Sequence, residues 1–547
     1  MLEGLMQDFP LTVDHIRRRV RDVYGDQQVI THTEAGRSAA TYAEVADRID
    51  RLGRVLDRLG VEPGDRVGTF AWNSQRHLEL YFAIPSASAV LHTLNIRLFA
   101  EHLDYIVNHA QDSVIFVDDT LVELLEPLAE RLPTVRHYVV MGEGDPGSLP
   151  RALRYEELMD EAGPGAFDWP EVDERAAAAL CYTSGTTGHP KGVLYSHRSI
   201  ALHAMATAMT DSLGLSREDR ILVVVPMFHA NAWGLPFGGA ATGAQLILPT
   251  RLLQAPALAG FIEQERATRM AAVPTIFADL LRHADEQHPD LSSLVTGLCG
   301  GSAVPRALAQ AFEERHGVHI LQAWGMTETS PLCTVARAPG EARGEEYWEY
   351  RSSQGRVLPF VEMRVVDDQG NALPHDGRST GEIEVRGPWI AARYFNDPSG
   401  DEKFHDGWLR TGDIGTVDGD GFMRISDRAK DVIKSGGEWI SSVELENEIM
   451  AHPDVLEAAV IAMPHERWAE RPLACVVLRE GATCGRPELV EHLRSRVAKW
   501  WLPDGWVFID EVPKTSVGKF DKKVLRAQLA EGALRAETDQ APAEVGG

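Results

Sequence analysis

A chain of 547 residues is longer than one hydrophobic core usually supports, so two or more domains are expected. Apolar residues make up 44%, enough for ordinary globular cores, and a formal charge of −27 with scattered basic residues argues against a nucleic-acid partner. The longest apolar run near the middle, Ile221 to Phe228, is far too short to span a bilayer, and the N-terminal segment MLEGLMQDFPLTVDHIRRRV lacks the pattern of a signal peptide. Cys181, Cys299, Cys333, Cys475 and Cys484 show no CxxC spacing and read as buried reduced thiols, as in a cytoplasmic protein.

In chain order, Thr41 to Glu44 reads as a capping box, and Val45, Ile49, Leu52, Val55, Leu56 and Leu59 follow at helical spacing until Gly60 stops the helix. Arg66 to Phe70 reads as a strand, and a second apolar helix pattern starts after Asn73. Strand-like runs recur at Val114 to Val117, His137 to Met141, Ile221 to Val225, Gln245 to Leu248 and Met270 to Val273, with helical segments between most of them. That alternation predicts parallel sheets covered by helices. From Arg351 to Arg386 the texture changes to short strands with Gly and Pro turns, as in a small barrel. A boundary is expected near Asp427. Beyond it, Ser441-Ser442-Val443-Glu444 caps a helix ending at His452-Pro453, and strands at Ala458 to Ala462 and Leu473 to Leu478 complete a compact α+β unit. The tail from Glu531 reads as loose. The expected fold is therefore α/β: a large N-terminal domain (1–426) of helix-covered sheets plus a barrel-like region, then a small mobile α+β C-terminal domain (427–530) and a tail (531–547).

Five motifs carry chemistry. The first, Tyr182 to Gly192, packs Gly185, Gly188 and Gly192, the hydroxyls of Thr183, Ser184, Thr186 and Thr187, and Lys191 between two strand-like runs. Glycines bring backbone N–H groups close to an anion, hydroxyls add donors and lysine adds charge, so the segment reads as a phosphate cradle. It is not a Walker A loop, because Gly185-x-x-Gly188 has the wrong spacing and Lys191 precedes Gly192. In the second, Gln322 to Ser330, a strand (Val318 to Gln322) enters a loop that would set Trp324 against a base and Glu328 on a hard cation. In the third, Gly407 to Gly415, Asp413 beside turn-forming glycine could accept both hydroxyls of a ribose, or serve simply as a turn aspartate. The fourth and fifth are Asp427 to Ser441 and Pro513 to Lys523, where Arg428, Lys430, Lys434 and Lys519 form a local basic cluster able to hold ATP or CoA.

Together and in this order, the five motifs resemble the adenylate-forming superfamily of acyl-CoA synthetases, adenylation domains and luciferases. The segment running from Asp427 through PHERWAERPLACVV looks most like bacterial fatty acyl-CoA synthetases, and is also similar to ligases for methylmercaptopropionate and other short or medium acids. The resemblance implies a two-step ligase using ATP, Mg²⁺ and coenzyme A: a carboxylate attacks the α-phosphorus to give acyl-AMP and pyrophosphate, then CoA displaces AMP. It also implies a homodimer. Residue by residue, it places Thr183 to Lys191 over the β- and γ-phosphates, and Thr183 and Glu328 at the metal. Gly300, Gly301, Ser302, Gln322, Ala323, Trp324, Gly325, Met326 and Thr327 match the nucleotide wall, Trp324 replacing the tyrosine common in the family. Asp413 and Arg428 go to the ribose, and Lys519 is the catalytic lysine on the α-phosphate. Gly436, Gly437 and Trp439 line the pantetheine channel once the small domain has turned about Asp427.

His229, Ala230, Asn231 and Trp233 are implied beside the acyl group, with His229 close to the chemistry and Gly300, Pro331, Leu332 and Cys333 as further candidates for its site. Trp233 either gates a fatty-acyl tunnel or packs in the core. The first expectation for the acid is a medium- to long-chain fatty acid, the second a short acid such as methylmercaptopropionate. A luciferase-like oxygenase shares the motifs. A non-catalytic nucleotide-binding protein should have lost Lys519, Glu328 or Asp413, and all three are present.

Overall fold

A computed structural model describes the chain apart from residues 1, 3, 184–188, 429–430, 436–437, 466, 515–519, 535–536 and 539–547, and apart from the side chains at 399, 401, 434, 438, 439, 537 and 538. The backbone divides into two compact units, one comprising Met1–Glu362 and Arg386–Leu409, the other Met363–Val385 and Arg410–Gly547.

The first unit holds two sheets. One runs Ala152–Arg154, His137–Met141, Asp112–Asp118, Arg66–Phe70, Val90–Thr93, Ala177–Tyr182, Gly192–Ser196, parallel until the last strand turns back on its predecessor. The other carries parallel Gln28–Thr33, Gln245–Leu248, Arg220–Val223, Arg269–Ala272, Thr296–Cys299 and His319–Gly325, with antiparallel strands at both ends. Buried aliphatic strands of this kind need helices on both faces. One of them, Tyr42–Arg58, starts where its capping box predicts: Thr41 Oγ1 accepts from the Glu44 N–H at 3.2 Å, and Glu44 returns the contact to the Thr41 N–H at 2.7 Å.

Two of the differences from the expected strands bear on the candidate site. The run expected over Ile221 to Val225 is a regular strand only to Val223; the buried Asn73 amide donates to the carbonyls of Val223 and Val225 at 2.7 and 2.9 Å, while the Val225 N–H still donates to the Ala271 carbonyl at 3.0 Å. The strand expected to end at Gln322 continues to Gly325, pairing Trp324 with Thr334, so Trp324 stands on a strand and not in a loop.

Gly381–Arg386, Trp408–Val417 and Phe422–Arg428, which lie mostly in the second unit, are neighbours in one sheet, the last two antiparallel. The C-terminal sheet is built on Val455–His465 against Ala469–Leu478. Ala458, Val460, Ala474 and Val476 belong to one core, and Ala459, Ile461, Leu473 and Cys475 to another. Alternate residues therefore feed opposite faces, and with both faces covered the strands read as continuous apolar runs. Helix Ser442–Met450 is capped by Ser441, whose hydroxyl accepts from the Glu444 N–H. Among the described residues no helix is long and apolar enough to cross a membrane, and all five cysteines are free and buried.

Candidate active site

The phosphate-cradle motif leaves one strand at Tyr182 and re-enters its antiparallel partner at Gly192. Ser184, Gly185, Thr186, Thr187 and Gly188 lie outside the described residues, but both ends are fixed. The Thr183 N–H donates to the Lys191 carbonyl at 2.9 Å, and the Lys191 N–H donates to Thr183 Oγ1 at 3.0 Å. Lys191 Nζ pairs with Asp397. His189 stacks on Tyr105 with centroids 4.4 Å apart, Tyr105 lies against His109, and the His109 ring is 2.7 Å from the Tyr182 hydroxyl.

Glu328 occupies a single 3-10 turn, Thr327–Thr329, and is 3% exposed. Its Oε1 accepts from the Tyr394 hydroxyl at 2.5 Å and lies 3.3 Å from Lys403 Nζ. Burial and the Glu328 charge push the Tyr394 phenol up, which keeps it a donor. Among the described residues these contacts fall on Oε1, leaving Oε2 able to accept a hard cation; a carboxylate of this kind, with the Thr183 hydroxyl, suits Mg²⁺.

The residues expected to form a nucleotide wall gather at the ends of two adjacent strands, Thr296–Cys299 and His319–Gly325. A Cβ on Gly300 would stand 2.7 Å from the Ala323 carbonyl and 3.5 Å from Trp233 Cη2, so only glycine lets these segments approach. Gly301 has φ +84°, Ser302 is exposed, and Ala323 and Trp324 are half-buried. Gln322 faces inward instead: its Oε1 accepts from the Val304 N–H at 2.8 Å and its Nε2 donates to the Ser353 carbonyl at 2.9 Å. Any part it plays in a nucleotide wall is through its main chain. Gly325 pairs with Leu332, the Met326 N–H donates to Thr329 Oγ1 at 2.9 Å, and the Thr327 carbonyl accepts from Tyr195 at 2.7 Å.

The expected acyl segment has an unusual backbone. Ala230, Asn231, Ala232, Trp233 and Gly234 have φ of +42°, +51°, +48°, +57° and +74°, a left-handed turn in which only the last residue is glycine. Each L-residue so held costs about 1–2 kcal/mol, so the surroundings must enforce it. His229 and Trp233 are half-buried at its two ends, while Asn231 is 2% exposed.

In the second unit, Asp413 lies within the strand Trp408–Val417 opposite Arg428 and is not a turn aspartate. Arg428 Nε is 3.4 Å from its Oδ1. Asp427 is fully buried and accepts from the N–H groups of Arg428 at 2.6 Å and Ser442 at 2.5 Å. Beside it, Lys522 Nζ bonds Ser442 Oγ at 2.6 Å and Glu446 Oε1 at 2.7 Å. Burial pushes the Glu446 carboxyl up to about 7. Lys430, Gly436, Gly437 and Lys519 lie outside the described residues. Lys434 and Trp439 stand on the paired strands Ile433–Ser435 and Glu438–Ile440.

The profile of the AMP-binding enzyme family matches residues 17–395, and that of the AMP-binding enzyme C-terminal domain matches residues 444–519. The chain belongs to the AMP-binding enzyme family. It is 45% identical over 533 residues to a 3-methylmercaptopropionyl-CoA ligase of Ruegeria lacuscaerulensis, covering 96% of this chain and 98% of that one. It is 44% identical over 530 residues to a long-chain-fatty-acid–CoA ligase of Thermus thermophilus, covering 96% of each. The crystal structure of an anthranilate CoA ligase in complex with anthranoyl-AMP superposes with a TM-score of 0.86 at 28% identity, covering 96% of this chain and all of the other.

Within this AMP-binding enzyme, sequence reasoning missed Tyr394 and Lys403 beside Glu328, and Asp397 beside Lys191. All three lie far from their partners in sequence, in a stretch whose pattern gives no sign of whom they meet. It also missed His203, buried in the middle of helix His197–Ala208, whose Nε2 accepts from the Leu332 N–H at 3.2 Å.

Proposed function

We propose that the protein is an ATP-dependent acyl-CoA ligase that forms acyl-AMP and pyrophosphate, then passes the acyl group to CoA and releases AMP. The observation that carries this reading is the family membership combined with an intact set of Lys519, Glu328 and Asp413 in their motif positions. The first step brings an anionic nucleophile to an anionic phosphate, so catalysis is chiefly positioning and charge neutralisation. Lys191 and the hydroxyls from Thr183 to Thr187 hold the β- and γ-phosphates. Glu328 with Thr183 would hold Mg²⁺, which when bound neutralises charge on the triphosphate. Trp324 packs on adenine, Asp413 and Arg428 hold the ribose, and Lys519 serves the α-phosphate and the attacking carboxylate. His229 stands beside the acyl carboxylate; Gly436, Gly437 and Trp439 serve the pantetheine arm, with Lys430 and Lys434 holding phosphate charge.

We place the functional boundary at Asp427, with 1–426, 427–530 and 531–547 as domains, and assign the protein to the cytoplasm as a homodimer. For the acid, the reading is a medium- to long-chain fatty acid, with Trp233, Gly300 and Pro331 lining its site. A short acid such as 3-methylmercaptopropionate is the second reading, favoured by the similarity to the Ruegeria ligase. Each methylene buried in a tunnel adds about 0.8 kcal/mol, so a tunnel predicts kcat/KM climbing with chain length. A closed pocket predicts rejection of long acids by overpacking. Measuring kcat/KM with butyrate, 3-methylmercaptopropionate, octanoate, laurate and palmitate separates the two; absence of CoA-dependent AMP formation with every acid would overturn the ligase reading.

A further inference from the structure

We propose that Asn231 is a specificity-determining positioning residue, whose buried carboxamide holds the left-handed turn that sets Trp233 and so fixes which acyl chains are accepted. The proposal rests on the ligase reading above and deepens it.

A run of four L-residues at positive φ does not hold itself. Of the side chains on this turn, the Asn231 carboxamide alone is both polar and fully buried. Its Oδ1 accepts from the Cys181 thiol at 3.2 Å, and its Nδ2 donates to the Tyr81 hydroxyl at 3.2 Å. The Tyr81 hydroxyl in turn donates to the Met227 carbonyl, just before the turn, while the Met227 N–H donates to Asn73 Oδ1 at 2.7 Å. The amide thus ties the turn to the end of the strand that leads into Thr183 and, through Tyr81, to helix Gln75–Ser86. Burial pushes the Cys181 thiol up to about 11, so it remains the donor this arrangement needs.

The far end of the turn is fitted as closely. A Cβ on Gly234 would stand 2.6 Å from the His203 ring, which leaves no room for any other residue at φ +74°. His203 is held neutral, its pKa pushed down to about 4 by burial, and it accepts from the Leu332 N–H. Between these two anchors lies Trp233, whose Cη2 stands 3.5 Å from where a Cβ on Gly300 would be. The indole stays half-buried, as a surface that meets a ligand would. Without the amide, the turn loses its hold on the strand and on Tyr81, and the indole loses its fixed position.

The test uses the full-length enzyme and the same acids, with Asn231→Leu, Trp233→Ala and the double variant. Asn231→Leu should cut the ratio of kcat/KM between the preferred acid and the next chain length by about tenfold, the scale of discrimination a pocket sets on one or two methylenes, while the KM for ATP stays the same. Trp233→Ala should shift the profile in the same sense, and the double variant should add nothing further, because both act through one indole. Cys181→Ser keeps a donor and should keep the wild-type profile, whereas Cys181→Val should move it as Asn231→Leu does; this pair carries the test if Asn231→Leu does not fold. A uniform loss across all acids, or additive effects in the double variant, overturns the proposal while leaving the ligase reading intact. A wild-type enzyme inactive with every acid overturns both.

Discussion

Replacing Glu328 with glutamine keeps the shape of the side chain and removes its charge. The Tyr394 hydroxyl can still donate to the amide oxygen, so the loss there is part of the 1.5–3 kcal/mol of a charged hydrogen bond, about 1 kcal/mol. Lys403 is about one-third exposed and its ion pair is worth below about 1 kcal/mol, so releasing it costs little. Folding stability should therefore fall by no more than about 2 kcal/mol. Adenylation should fall much further. Mg²⁺ beside phosphates is held by one or two carboxylates, so this change removes half or all of the protein's charge on the ion; losing one preorganised charge-stabilising group costs about 10²–10³ in rate. Magnesium titrations of acid-dependent pyrophosphate exchange should show a weaker apparent metal affinity. Thioester formation from supplied acyl-AMP, which involves no triphosphate, should stay close to wild type. Superimposable magnesium curves, or equal losses in both half-reactions, would refute the assignment.

Lys519→Ala should abolish most adenylation yet spare thioester formation from supplied acyl-AMP, since only the first step needs a cation at the α-phosphate; single-turnover assays of each half-reaction read the difference, and equal losses would sink the role. The C-terminal unit should lose stability as pH rises. Glu446 has its folded pKa raised from 4.5 to about 7 by burial, so the folded state binds more protons than the unfolded one across that window. Ionising it there costs about 1.4 kcal/mol per pH unit at most, stability being fullest below 4.5 and lost towards 7. Glu446→Gln should flatten the fall of Tm between those pH values, and an unchanged slope would show that Lys522 already keeps Glu446 ionised.

The two-sheet body was legible because its strands are aliphatic and separated by helical patterns, and helix Tyr42–Arg58 because its cap is written in Thr41 and Glu44. Side-chain partners distant in sequence were not legible. Nothing in the run Ile221 to Val225 shows that Asn73 will bond its carbonyls at Val223 and Val225. Trp324 lies in a motif that reads as a loop, but pairing with Thr334 keeps it on a strand. The left-handed turn was hidden for the same reason: Ala230, Ala232 and Trp233 have no preference for positive φ, and the partners of its Asn231, Cys181 and Tyr81, lie far away in sequence. Of the candidate site, the motif residues were proposed from composition and order, while Tyr394, Lys403 and Asp397 needed the fold.

Activation of an acid as acyl-AMP before CoA receives it leaves its own set of products. The most direct measurement quantifies AMP, pyrophosphate and thioester from ATP, Mg²⁺ and octanoate or 3-methylmercaptopropionate, with and without CoA. AMP and thioester should form in equal amounts when CoA is present, and a pyrophosphate burst with enzyme-bound acyl-AMP should appear when it is absent. ADP and phosphate as products, or AMP released without thioester in the presence of CoA, would contradict it.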